Sequence, residues 1–288
     1  MTVRPLVLVL SLTGAASALA QDAAPNFPVL PPPAMGAAAA TEAAPIDRVL
    51  AGDWRSEANK ARDAYRHPRE TLAFLGVQPG QRLIEVWPGG GWYAEVLAPL
   101  LRSQGQYTAA VPRPGKPGDN TAKANDKLRA TFAAAPAVYG TPAVVEVDPK
   151  APVLGAPGSA DVVLTFRNAH NWVMAGNEAA MFKAFFAVLK PGGVLGVVDH
   201  RARPDQPAAE MKSSGYLPQA YVVKLAEAAG FRLEEASEVN ANPRDTKDYA
   251  DGVWTLPPAL ALGEKDRAKY QAIGESDRMT LRFTKPGP

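Results

Sequence analysis

Beyond the turn at residues 78–81 (QPGQ), short apolar runs alternate with stretches whose apolar positions recur every three or four residues. Runs of the first kind suit buried strands and stretches of the second kind suit amphipathic helices. The pattern predicts strands over 82–87, 106–111, 143–148, 161–166, 193–199, 231–239 and 279–284. It predicts helices over 92–103, 119–135, 177–189 and 218–229, the third closed by LKPGG and the fourth by AAGF. Such alternation describes an α/β domain, a doubly wound and mostly parallel sheet covered on both faces. Upstream, residues 46–77 mix apolar and charged positions at helical spacing and fit two helices, the second admitting Pro68 in its first turn. Residues 240–277, between the last two strands, carry no strand pattern, and an insertion of that kind is expected to cover or serve a site.

The 288 residues, 47% of them apolar, can bury one large core. Lys and Arg number 31 against 29 Asp and Glu, without a dense basic run, so a small-molecule substrate is expected rather than nucleic acid. The absence of cysteine excludes thiol chemistry and disulfides. At the start, Arg4 precedes an apolar stretch ending in Ala18-Leu19-Ala20, the pattern of a signal peptide over residues 1–20 cut after Ala20. The mature chain is then expected in the periplasm or outside the cell, with no membrane segment after cleavage. Residues 21–45 are rich in Pro and Ala and read as an extended linker. The folded domain is placed at 46–288, with a helical extension over 46–78.

The most informative stretch is LIEVWPGGGWYAEVL, residues 83–97. A strand, an acid at its end, three glycines and a helix make a turn in which a ligand can approach the backbone. The acid and the glycines spaced two apart resemble motif I of the class I S-adenosylmethionine-dependent methyltransferases, with Glu85, Trp87, Gly89 and Gly91 on its fixed positions. LKPGG before the fifth strand, AGF before the sixth and LRFTKP at the last extend the likeness from about residue 80 onward. More narrowly, WPGGGWY, RNAHNW, VVDHRA and YRHPRE resemble a group of exported proteobacterial proteins described as predicted methyltransferases.

The resemblance implies a seven-stranded Rossmann-like methyltransferase fold with an antiparallel last strand and N-terminal helices. It implies S-adenosylmethionine held by Glu85, Trp87, Gly89, Gly90, Gly91 and Asn168. Two departures stand out. Trp87 fills the first glycine position, where Pro88 is expected to push it into an extended backbone. The second strand ends in AVPRPGK, with no acid for the ribose hydroxyls, a loss of about 10- to 100-fold in cofactor affinity unless another group substitutes.

All three histidines lie where loops should meet the carboxyl edge of the sheet: His67 in AYRHPRE, His170 in FRNAHNW and His200 in VVDHRAR. His170 is the first candidate for a general base and His200 the second, because methyl transfer to a hydroxyl needs a proton acceptor. Asn171, Trp172, Asp199, Arg201 and His67 are candidates for holding the substrate. Two other readings share these residues. One is a non-catalytic periplasmic ligand-binding protein on the same fold. The other is metal-assisted hydrolysis with His170, His200, Asp199 and His67 offering ligands, although their spacing matches no standard short metal motif.

Overall fold

The computed structural model describes residues 45–287. The proposed signal and all but the last residue of the linker lie outside the described residues. Seven strands form one sheet: β1 Arg82–Val86, β2 Gln106–Pro112, β3 Ala143–Val147, β4 Ala160–Phe166, β5 Leu189–His200, β6 Arg232–Ser237 and β7 Arg278–Thr284. Their order is β3-β2-β1-β4-β5-β7-β6. β1 pairs in parallel with β2 and β4, β2 with β3, and β4 with β5, whereas β7 runs antiparallel to both β5 and β6. Each strand expected from the sequence is present. β5 starts earlier than its apolar run because Gly192 and Gly193 exchange backbone hydrogen bonds with Lys285, which draws the LKPGG turn into the sheet.

The four longer helices fall at Ala94–Leu101, Asn120–Ala134, Glu178–Val188 and Gln219–Ala228. Before the sheet, the chain forms four short helices instead of two: Pro45–Leu50, Glu57–Lys60, Asp63–Arg66 and Pro68–Phe74. Gly52 turns so tightly under the Trp54 ring that a Cβ would meet it at 2.4 Å, and Ser56 then caps a new start. His67 breaks the chain again at a φ of 41°, consistent with the exclusion of a pre-proline residue from the right-handed helical region. Pro68 occupies the first turn of its helix, as expected.

Successive side chains of β1 enter opposite layers. Leu83 packs with Leu72, Leu97 and Trp92 on one face, and Ile84 and Val86 pack with Trp172, Phe182 and Phe185 on the other. Each such side chain contributes roughly 1.5–3 kcal/mol on burial. The carboxyl ends of β1, β4 and β5 therefore sit on a rigid two-sided core and hold Trp87, Arg167 and His200 at one edge. Among the described residues, no helix is long and apolar enough to cross a membrane.

Candidate active site

The first component of the site is the glycine turn after β1. Trp87 does not take the extended backbone expected of it; its φ is 54°, the left-handed value that glycine adopts freely. A conformation of this kind costs on the order of 1–3 kcal/mol for a bulky residue, so neighbours must enforce it. The Trp87 amide donates to the Ala110 carbonyl at 2.7 Å. The Asn168 amide donates to the carbonyls of Val86 and Trp87 at 2.9 and 3.1 Å. The Trp87 ring packs edge-on against Trp172 at 5.4 Å. Asn168 thus shapes the turn by tying β1 to β4.

Beside the turn, Gly89, Gly90, Gly91, Asn59, Glu95 and Leu128 are among the residues lining a cleft of about 460 Å³. A Cβ added at Gly89 or Gly90 would meet no protein atom within 4 Å, and Gly90 has no positive φ to explain its identity. Glycine there leaves room for something outside the chain. That open cradle fits S-adenosylmethionine, as does the size of the cleft. The remaining departure is at β2, which ends at Pro112. Arg113 pairs with Asp148, and Asp119 spends its carboxylate on the amides of Gly115, Lys116 and Ala122.

The carboxylate of Glu85 is bound by Tyr107 and not by an amide of the glycine turn. The residue is 2% exposed, accepts a 2.6 Å hydrogen bond from the Tyr107 hydroxyl, and burial pushes its carboxyl up to about 7, against the opposing pull of Tyr107 and Arg66.

The second component lies at the ends of β4 and β5. Asp199 Oδ1 accepts from His170 Nδ1 at 2.8 Å and from the His200 amide at 2.7 Å, while Oδ2 accepts from the His170 amide. A carboxylate on Nδ1 fixes the tautomer, leaving the Nε2 lone pair of His170 without a hydrogen-bond partner among the described residues. The ring borders a cavity of about 180 Å³ whose lining includes Arg167, Asn171, His200, Trp254 and Pro257. The 240–277 segment supplies its cover through Val253–Ala259.

His200 is placed differently from a free base. Its Nδ1 faces Ser276 Oγ at 2.6 Å and its Nε2 receives Arg167 Nε at 3.5 Å. Burial, followed by His170, Arg167, Arg278 and Arg66, pushes its imidazole well below the usual range, so it stays neutral and positions Arg167. Donor atoms of His170, Asp199 and His200 lie within 4.8 Å of one another. The set does not fit a metal ion: both Asp199 oxygens and both His200 nitrogens are engaged, and a guanidinium occupies the approach.

The other candidates are dispersed. Trp172 is fully buried in the core, and Arg201 is committed to Glu238 and Asp277. His67 is outside the His170, Asp199 and His200 group, and its Nδ1 is buried without a hydrogen-bond partner. Asn171 is exposed at the cavity rim. Sequence reasoning missed Arg167, although it stands in the RNAHNW motif, and missed Trp254 and Ser276, which no local pattern marks.

The strand order, with an antiparallel β7 inserted between β5 and β6, decides the architecture. The fold is that of the class I S-adenosylmethionine-dependent methyltransferases. An S-adenosylmethionine-dependent methyltransferase from Aquifex aeolicus is similar over 78% of this chain and 93% of its own, with a TM-score of 0.51 and 15% identity. The [4+2]-cyclase SpnF is similar over 83% and 86%, with a TM-score of 0.53 and 16% identity. A proposed sarcosine dimethylglycine methyltransferase from Galdieria sulphuraria reaches a TM-score of 0.55 at 14% identity over 80% and 88%. No protein-family model matches the sequence, and comparison with curated proteins finds no match. At such identities the likeness is one of methyltransferase fold, and the cyclase illustrates that this fold hosts more than one chemistry.

Proposed function

We propose that the chain is an exported S-adenosylmethionine-dependent methyltransferase acting on a small molecule. The observation that carries this reading is the Asp199–His170 pair, with the His170 ring at a cavity on the same sheet edge as the open glycine turn. When bound, S-adenosylmethionine supplies a sulfonium methyl group, and S-adenosylhomocysteine is left as the acceptor oxygen takes that methyl. The chain's own part is to seat the acceptor under Trp254 and take its hydroxyl proton at His170 Nε2. Asp199 stabilises the resulting imidazolium. Asn168 and the Trp87 backbone hold the turn in shape, and Gly89 and Gly90 leave the cofactor its space. The signal-like pattern of residues 1–20 is the support for action in the periplasm.

A ligand-binding protein on the same fold is the second reading, favoured by the lack of an acid after Pro112. Calorimetric titration of the chain from Gln21 with S-adenosylmethionine and S-adenosylhomocysteine separates the two. Binding followed by transfer of a labelled methyl to an added acceptor is the expected result. No heat at millimolar cofactor would overturn the methyltransferase reading.

A further inference from the structure

Behind the cavity, four arginines converge on very little negative charge. Glu275 Oε1 and Oε2 receive Arg62 Nε at 2.7 Å, Arg66 Nε at 3.2 Å and Arg278 Nη1 at 3.1 Å. Arg66, Arg278 and Glu275 are buried. Burial alone would raise the Glu275 carboxyl, but Arg66, Arg278, Arg62 and Arg167 hold it below the usual range. The carboxylates of this island are Glu275 and Asp199, and Asp199 is already bound by His170; Glu85, near Arg66, is pushed up to about 7 by burial. Two buried guanidiniums, Arg66 and Arg278, and two half-buried ones, Arg62 and Arg167, therefore face two committed carboxylates, and an excess of one sign with so little solvent is costly unless a counter-charge arrives.

Arg167 is the member that reaches the cavity. Among the described residues its side-chain hydrogen bond is the one from Nε to neutral His200, and both terminal nitrogens are without a partner there. Its backbone is held at a φ of 63°, a strained value for arginine, and its amide is bonded to the Val198 carbonyl at 2.7 Å. The strain serves to aim the side chain across the end of β5. A planar guanidinium with two free terminal nitrogens matches a carboxylate or phosphate oxygen pair. The cavity of about 180 Å³ opens to solvent and has room for a compact anion.

We propose that the cavity between Arg167 and His170 is an oxyanion-binding site that takes a small molecule bearing a carboxylate or phosphate group. The site stands on its own charge and geometry. It deepens the methyltransferase reading only in identifying the anion as part of the acceptor, with the hydroxyl presented to His170.

The test uses the chain from Gln21 without cofactor, titrated with benzoate, its neutral isostere benzamide, and inorganic phosphate. Benzoate or phosphate is expected to bind, in competition with each other if both do, and benzamide is expected not to bind. Which anion binds more tightly distinguishes carboxylate from phosphate. Arg167→Gln should weaken the anion by about 10- to 100-fold, the loss expected for a charge-assisted hydrogen bond. Arg129→Gln, a surface change of equal charge, should leave it intact. In the wild-type protein, anion addition should also shift the His170 imidazole resonances, a readout that does not require any variant to fold. Equal binding of benzoate and benzamide, equal anion affinity in the Arg167 and Arg129 variants, or no imidazole shift at saturating anion would each overturn the site. Because no cofactor is present, these outcomes are independent of whether methyl transfer occurs.

Discussion

Glu85→Gln tests whether the acid at the end of β1 works as a neutral group. Burial lifts its carboxyl from 4.5 to about 7. Each tenfold change in proton affinity is worth about 1.4 kcal/mol, so the full effect on stability is about 3 kcal/mol. The folded state holds the Glu85 proton more tightly than the unfolded state does. The contribution is therefore complete below an ordinary carboxyl pKa, declines between about pH 4.5 and 7, and is gone above that window. Glutamine is neutral throughout and can still accept from the Tyr107 hydroxyl, while its added N–H group lacks an assured partner and costs about 1 kcal/mol. Relative to wild type, the variant is expected to be slightly less stable near about pH 4 and more stable by about 1–2 kcal/mol near about pH 8. Urea unfolding across this range measures it, with the slope m checked for constancy. The difference curve cancels groups common to both chains. A flat difference curve, or a variant that loses ground as pH rises, would refute a protonated Glu85.

Three further outcomes address the site. Gly90→Val should leave unfolding free energy within about 0.5 kcal/mol, because a Cβ there meets no protein atom, yet abolish S-adenosylmethionine binding by calorimetry. Asn168→Asp would set a carboxylate against the Val86 and Trp87 carbonyls, and should cost about 2–4 kcal/mol by denaturation. Its counterpart Asn168→Ser should cost less. For the proposed reaction, His170→Gln should lower kcat by about 100-fold or more while cofactor affinity by calorimetry stays unchanged. Unchanged turnover would remove His170 as the base.

The sheet was legible because short, mostly apolar runs such as Leu83–Val86 and Val194–Val198 are bounded by turn residues and have the length of a buried strand. The helix at Ala169–Ala175 was not, since seven residues are too few to display a period. Site edges could be read from the glycine turn and the histidines, but their roles required partners far apart in sequence. Nothing adjacent to His200 announces Ser276, and nothing near Arg66 announces Glu275. Trp87 illustrates a different limit. Local sterics before Pro88 favoured an extended backbone, and the bonds that Trp87 donates to Ala110 and accepts from Asn168 hold another. Arg201 and Trp172 show that polar or aromatic character next to a site residue does not decide which way a side chain points.

The position of β7 bears on biosynthesis. A ribosome that has completed β6 has made a strand with nowhere to dock, since β6 joins the sheet only through β7. Immediately ahead of β7 come Glu275 and Ser276, the partners of the buried arginines and of His200. The same closing event that completes the sheet thus neutralises part of the basic island and locks His200 in place. A nascent chain halted at Gly274 should remain protease-sensitive across β6, and resistance appearing before Glu275 emerges would contradict this order. Until β7 is made, β6 has no strand to pair with, so protection of β6 reports completion of the sheet.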